Sequence, residues 1–138
     1  MLNFLLTAVA FIFSTATFTF SYSYSGVART FTAYGKAIPE VCVVKENASG
    51  NLLITPYFNI NNLKKMTDQY FSANLQRYLG KDQTYTLTYA FYRESNGRYT
   101  ITNTTPSRVS IYLRCPISWF GSYKNTATFD IKKGAFYE

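Results

Sequence analysis

Hydrophobic and polar positions fall into three regimes along the chain. From Leu2 to Tyr24 apolar side chains dominate, and the first charged side chain is Arg29. A spanning helix needs about 20 apolar residues, and this run is long enough for one. Thr7, Ser14, Thr15, Thr17, Thr19 and Ser21 interrupt it. In a helix such hydroxyls bond back to the carbonyls of the preceding turn, so they cost little in lipid. The helical pattern continues to about Ala37, and Pro39 should stop it. The pattern therefore predicts an apolar membrane or packing helix over residues 1–37 and a globular domain over residues 38–138.

Two faces of this first helix are candidates for packing. Phe4, Phe11 and Phe18 recur every seven residues on one side. Ala10 with Ser14, Thr15 with Thr19, and Ser21 with Ser25 put small side chains one turn apart, where two helix backbones can approach closely. Tyr22 and Tyr24 stand where an interfacial aromatic belt would lie. Three uses of such a segment compete: a cleaved signal peptide, a plain membrane anchor, and a helix that packs into the core of a filament. No basic n-region precedes the apolar run, which disfavours the first. Arg29, Lys36 and Lys45 follow the run, and the positive-inside rule would hold the domain in the cytoplasm. The expectation adopted against that rule is a single-pass protein of the cell membrane with an extracytoplasmic domain, exposed at the cell surface or built into a filament.

In the second regime, short apolar runs at Val41 to Lys45 and Asn51 to Thr55 flank Asn47-Ala48-Ser49-Gly50, which predicts a hairpin. Asn61 is placed to cap a following helix. Leu63, Thr67, Phe71, Leu75 and Tyr78 form one helical row, with Met66, Tyr70, Asn74 and Arg77 beside it. Lys64, Lys65, Asp68, Gln69, Ser72 and Gln76 take the other side, as in an amphipathic helix. Gly80 is the natural stop.

Beyond Gly80 the period becomes two. Tyr85, Leu87, Tyr89 and Phe91 alternate with threonines, Asn96-Gly97 marks a tight turn, and Tyr99 with Ile101 continues on a return strand. Pro106-Ser107 breaks the pattern before Val109, Ile111, Leu113 and Cys115 alternate with Ser110, Tyr112 and Arg114. A bend is expected from Pro116 to Tyr123, around Trp119, and a last strand over 126–132. The predicted class is α+β: a long apolar N-terminal helix, with one amphipathic helix packed on a small antiparallel sheet.

Composition narrows the chemistry. Aromatic residues make up 19% of the 138 positions, a surplus that suits strands, membrane interfaces and subunit contacts. There is no histidine, which removes Ser-His and Cys-His nucleophile pairs and the common zinc sites. Asp68, Asp82, Glu94 and Asp130 belong to four different elements, and no glycine-rich phosphate loop occurs. The expectation is a non-enzyme with no cofactor, no metal and no small-molecule substrate. The net charge of +7 is spread from Arg29 to Lys133 without long runs. A polyanion such as a cell-wall polymer or DNA is therefore the alternative partner rather than the leading one. Cys42 and Cys115 are either two buried thiols or a disulfide, whose long loop would give roughly 4 kcal/mol in the chain-entropy model.

One further likeness runs along most of the chain. Lys65-Met66-Thr67-Asp68-Gln69-Tyr70-Phe71-Ser72-Ala73-Asn74-Leu75 resembles the K-x-x-x-x-Y-F-x-x-N-L helix of TadE-like pseudopilins of Firmicutes. The stretch from Gly50 to Phe58, the Tyr-rich strand from Tyr85 to Tyr92 and a closing Phe129-Asp130-Ile131 fit the same plan. The resemblance implies a pilin-like fold. It also implies a structural role in a tight-adherence pilus or a related secretion or conjugation apparatus. Its partners would be the membrane, sister subunits and assembly proteins, reached through Phe4, Ala10, Phe11, Ser14 and Phe18. Pilins usually carry a basic leader and a Glu soon after the processing site, whereas positions 1 to 28 here hold neither a basic residue nor a Glu.

Overall fold

The computed structural model describes residues 2–79, 83–118, 121–131 and 135–137. Among these residues the chain is α+β, with three helices and two antiparallel sheets. Helix α1 spans Leu2–Val41, and helix α2 spans Ile60–Leu75 and tightens into a 3-10 turn at Gln76–Tyr78. Strands β1 (Val43–Glu46) and β2 (Leu52–Phe58) form a two-stranded sheet. Strands β3 (Thr86–Ser95), β4 (Arg98–Ile101), β5 (Arg108–Ser118), β6 (Gly121–Asp130) and β7 (Ala135–Tyr137) form the second sheet, in the order β4-β3-β5-β6-β7.

Helix α1 runs unbroken through Pro39 and ends at Val41, beyond the stop expected from the sequence. A proline in the final turn removes one hydrogen bond close to where the helix ends anyway, so the cost stays local. The Cys42 amide then closes on the Pro39 carbonyl at 3.1 Å. In the second half of α1, Val27, Phe31 and Tyr34 are fully buried and Ile38 packs beside them, at spacings of four, three and four that keep one face toward the sheet. The helix cap also differs from expectation. Asn59, rather than Asn61, is the N-cap of α2, its Oδ1 accepting from the Asn62 amide at 3.0 Å. Gly80, expected to end that helix, lies outside the described residues, as do Asp82, Trp119 and Lys133.

The hairpin of β1 and β2 turns on Asn47, whose side-chain carbonyl accepts from the Ser49 and Asn51 amides at 2.9 and 3.0 Å. Gly50 supplies the positive φ of 82° that the turn requires. The hairpin is tied to the rest of the domain by the Phe58 amide donating to Pro106 O, 2.8 Å, and the Asn59 amide donating to Cys42 O, 2.9 Å.

In the larger sheet, Asn96 and Gly97 have φ of 52° and 78°, so β3 and β4 are joined by the tight turn that Asn-Gly favours. The expected bend from Pro116 to Tyr123 is instead mostly strand. β5 continues through Pro116 to Ser118, Pro116 pairs with Ser122, and a register irregularity between Pro116 and Ser118 absorbs the missing amide. Strand β6 correspondingly starts at Gly121 and ends at Asp130, and β7 has no counterpart in the sequence expectation.

The alternation of β5 sorts its side chains cleanly. Val109, Ile111, Leu113 and Cys115 are fully buried beneath the helices, while Ser110, Tyr112 and Arg114 point the other way. Two helices share the inner face. Helix α1 covers β5 and β6, with Tyr24 and Phe31 edge-on to Tyr123 and Tyr34 edge-on to Phe129. Helix α2 covers β3, with Phe71 edge-on to Tyr85 and Lys64 over the rings of Tyr89 and Phe91. Phe31, Tyr34 and Phe71 stack at the meeting of the two helices, and burying each ring contributes on the order of 2 kcal/mol.

Candidate functional site

The first half of α1 projects from this domain. From Phe20 onward the helix packs against the core, whereas no described side chain before Phe20 belongs to it. Phe4 is 81% exposed, Phe11 72% and Phe18 75%, and Leu5, Leu6, Val9 and Ile12 are also exposed. Residues seven apart are two turns apart, about 10.5 Å, so the three phenylalanines line one stripe. Ala10 and Ser14, also exposed, sit one turn apart. All five residues singled out from the sequence thus lie on the projecting half.

Three threonines on this half bond back to the preceding turn. Thr7 donates to Asn3 O at 2.9 Å, Thr15 to Phe11 O at 3.0 Å, and Thr19 to Thr15 O at 3.0 Å. Each hydroxyl proton is therefore satisfied within the helix. The side chain of Thr17 lies outside those described. Among the described residues, no helix is long and apolar enough to cross a membrane, so the spanning helix expected over residues 2–24 is not found. The hydroxyl residues and tyrosines spread through this segment dilute its hydrophobicity.

A collar of tyrosines marks the border between the two halves. Tyr22 lies 6.2 Å from Tyr78, and Tyr24 lies 5.2 Å from Tyr123, centroid to centroid. Both α1 tyrosines stay substantially exposed. Immediately beyond, Gly26 lets the helix approach the Tyr78 ring so closely that a Cβ there would overlap it.

The two cysteines are free thiols, and the structure does not bring them together. Cys42 follows α1 and its Sγ lies 3.6 Å from Met66 Sδ, whereas Cys115 lies on β5 opposite Tyr123. Burial raises both thiol pKa values, that of Cys115 to about 11. Thiolates, the reactive form, are thus disfavoured at both positions.

The sequence did not disclose the polar cluster around Asp130. This carboxylate is buried and accepts from Tyr99 Oη at 2.6 Å and from Arg108 Nε at 3.0 Å, with Arg108 Nη2 at 2.9 Å. The Arg108 guanidinium also lies 3.5 Å from the centroid of the Tyr99 ring. These residues come from β4, β5 and β6, and only the register places them together. The one available signal was alternation, which puts Arg108 and Asp130 on the same face. A cavity of about 350 Å³ opens beside the cluster, between the end of α1 and strands β1 and β6, where Lys36, Glu40 and Lys45 line it. Among the described residues, no group of three or more Asp, Glu or Cys side chains could hold a metal.

No protein family, curated protein or solved structure matches the chain. The TadE-like resemblance therefore rests on the residues that suggested it.

Proposed function

We propose that the protein is a pilin-like structural subunit, held by the first half of α1 in an apolar environment shared with sister helices. The observation that carries this reading is the division of α1. One continuous helix is core from Phe20 onward and, before that point, presents seven large apolar side chains to solvent. Exposed apolar surface of that extent marks an interaction site. No charge lies on the described part of the segment before Arg29, which suits burial among other helices or lipid chains.

Ala10 and Ser14 are the close-approach face, and Phe4, Phe11 and Phe18 the interlocking one. The globular domain, extracytoplasmic in this reading, presents its surfaces to other subunits. A tight-adherence pilus or a related secretion or conjugation apparatus is the setting that the sequence resemblance favours. The test is cross-linking in cells between single-cysteine variants at Ala10 and Ser14, in a background with Cys42 and Cys115 replaced by serine. Specific homodimer bands, lost when the neighbouring small residue becomes Trp, are expected. Absence of cross-links, or cross-links indifferent to Trp, would overturn the assembly reading. Impermeant thiol labelling at Thr104, on the far side of the domain, reports topology. Labelling of intact cells supports an extracytoplasmic domain, and protection until lysis refutes it.

A further inference from the structure

The five-stranded sheet has a second face, which neither helix covers. The register places its side chains in rows across β3, β5 and β6: Thr86, Arg114 and Lys124; Thr88, Tyr112 and Thr126; Ala90, Ser110 and Thr128. Arg114 and Lys124 are exposed and directly opposite each other. Side chains so placed have Cβ atoms about 5 Å apart, and like charges there are destabilising. At this end of the face no described acidic residue offsets them. The described acidic residues of the face, Glu94 and Asp130, lie toward its other end, where Asp130 is held by Arg108 and Tyr99. Tyr112 is two residues from Arg114 on the same strand, about 7 Å along it, with Thr88 and Thr126 on either side.

We infer that this face binds single-stranded nucleic acid, with Arg114 and Lys124 on the phosphates and a base stacked on Tyr112. Charge complementarity selects an anionic chain, because two cations that no described acidic residue offsets share one row. The ring beside them selects a chain that carries exposed aromatic faces, since a stacking platform beside a cationic track is how single strands are held without sequence preference. Thr88 and Thr126 supply hydroxyl donors at the edges of the ring. A duplex keeps its bases stacked on one another and cannot use the platform. The inference is independent of what the projecting half of α1 packs against.

The test uses the full chain in a mild non-ionic detergent and fluorescein-labelled oligothymidine, read by fluorescence anisotropy across a salt series. Saturable binding is expected, with a log-log salt slope that falls by about 1.4 in the Arg114→Gln/Lys124→Gln double variant, two contacts at about 0.7 each. Tyr112→Leu should weaken binding roughly 5- to 150-fold, and Tyr112→Phe should restore it. Lys36→Gln/Lys45→Gln, on another part of the surface, should bind as the parent chain does. Circular dichroism of each variant checks that the fold is intact. The proposal is overturned by absence of saturable binding, or by equal loss in the Lys36/Lys45 variant. It is also overturned if inorganic polyphosphate or duplex DNA competes as well as oligothymidine and Tyr112→Leu has no effect, the signature of a general polyanion patch.

Discussion

Tyr34 and Thr67 join α1 to α2 through a hydroxyl–hydroxyl hydrogen bond of 2.5 Å, with both residues fully buried. Buried hydroxyls need partners, and removing one partner costs more than removing both.

Thr67→Val should therefore destabilise the domain by about 1–3 kcal/mol, because it strands the Tyr34 hydroxyl in the core. Tyr34→Phe removes the stranded group. The double variant should accordingly be more stable than the sum of the two single effects predicts. Urea unfolding of the four chains gives the coupling energy, and strict additivity would mean that the bond contributes nothing.

The same tyrosine sets an alkaline limit. Burial raises the Tyr34 pKa well above its ordinary value near 10, and burial also brings Tyr89 to about 12. The fold holds the neutral phenol, whereas the unfolded chain ionises near pH 10, so the folded state retains more protons above that pH. Stability from this source is complete below about pH 10 and falls as pH rises toward the folded-state values. Thermal melts from pH 8 to 11 should show that decline, and Tyr34→Phe should make it shallower. An identical slope in the variant would assign the effect elsewhere.

Gly26→Val tests the close approach of α1 to Tyr78. The added side chain would overlap the ring, so a loss of about 1–3 kcal/mol is expected from overpacking. Tyr78→Ala in the same chain should recover part of it. A Gly26→Val protein as stable as the parent would show that the ring moves aside freely.

Asp130→Ala should cost about 3 kcal/mol, since it leaves the Arg108 guanidinium without the buried carboxylate. A subtler readout is Tyr99. Its pKa is raised to about 12, first by its hydrogen bond to Asp130 and then by burial. Asp130→Asn should bring it back toward the ordinary value, measurable by NMR titration of labelled tyrosine.

The thiols give a probe of global opening. In the folded chain Cys42 and Cys115 should react slowly with a thiol reagent, and both should react fully in denaturant. Rapid reaction of Cys115 under native conditions would contradict its burial in the sheet.

Much of the fold was legible where one period ruled. The alternation of Val109, Ile111, Leu113 and Cys115, the turn at Asn96-Gly97 and the buried row Leu63, Thr67, Phe71 and Leu75 all fall where the pattern places them. Prolines misled twice in the same way. Pro39 lies inside the last turns of a helix and Pro116 inside a strand, because the surrounding packing outweighs one lost amide at each site. The Asp130 cluster was not legible, since pairing Tyr99, Arg108 and Asp130 requires the strand order. The stripe of Phe4, Phe11 and Phe18 was legible as a stripe, but only the structure shows that the domain leaves it uncovered. The inner and outer faces of the sheet were legible residue by residue, yet the row that sets Arg114 beside Lys124 depends on register.

The order of the chain has a consequence for synthesis. Helix α1 emerges before the strands against which it packs, and Tyr34 meets Phe129 only once β6 has been made. Until then the second half of the helix has no sheet to rest on. One continuous helix thus has one half that folds only against strands made long after it, and another whose described large apolar side chains stay outside the finished domain.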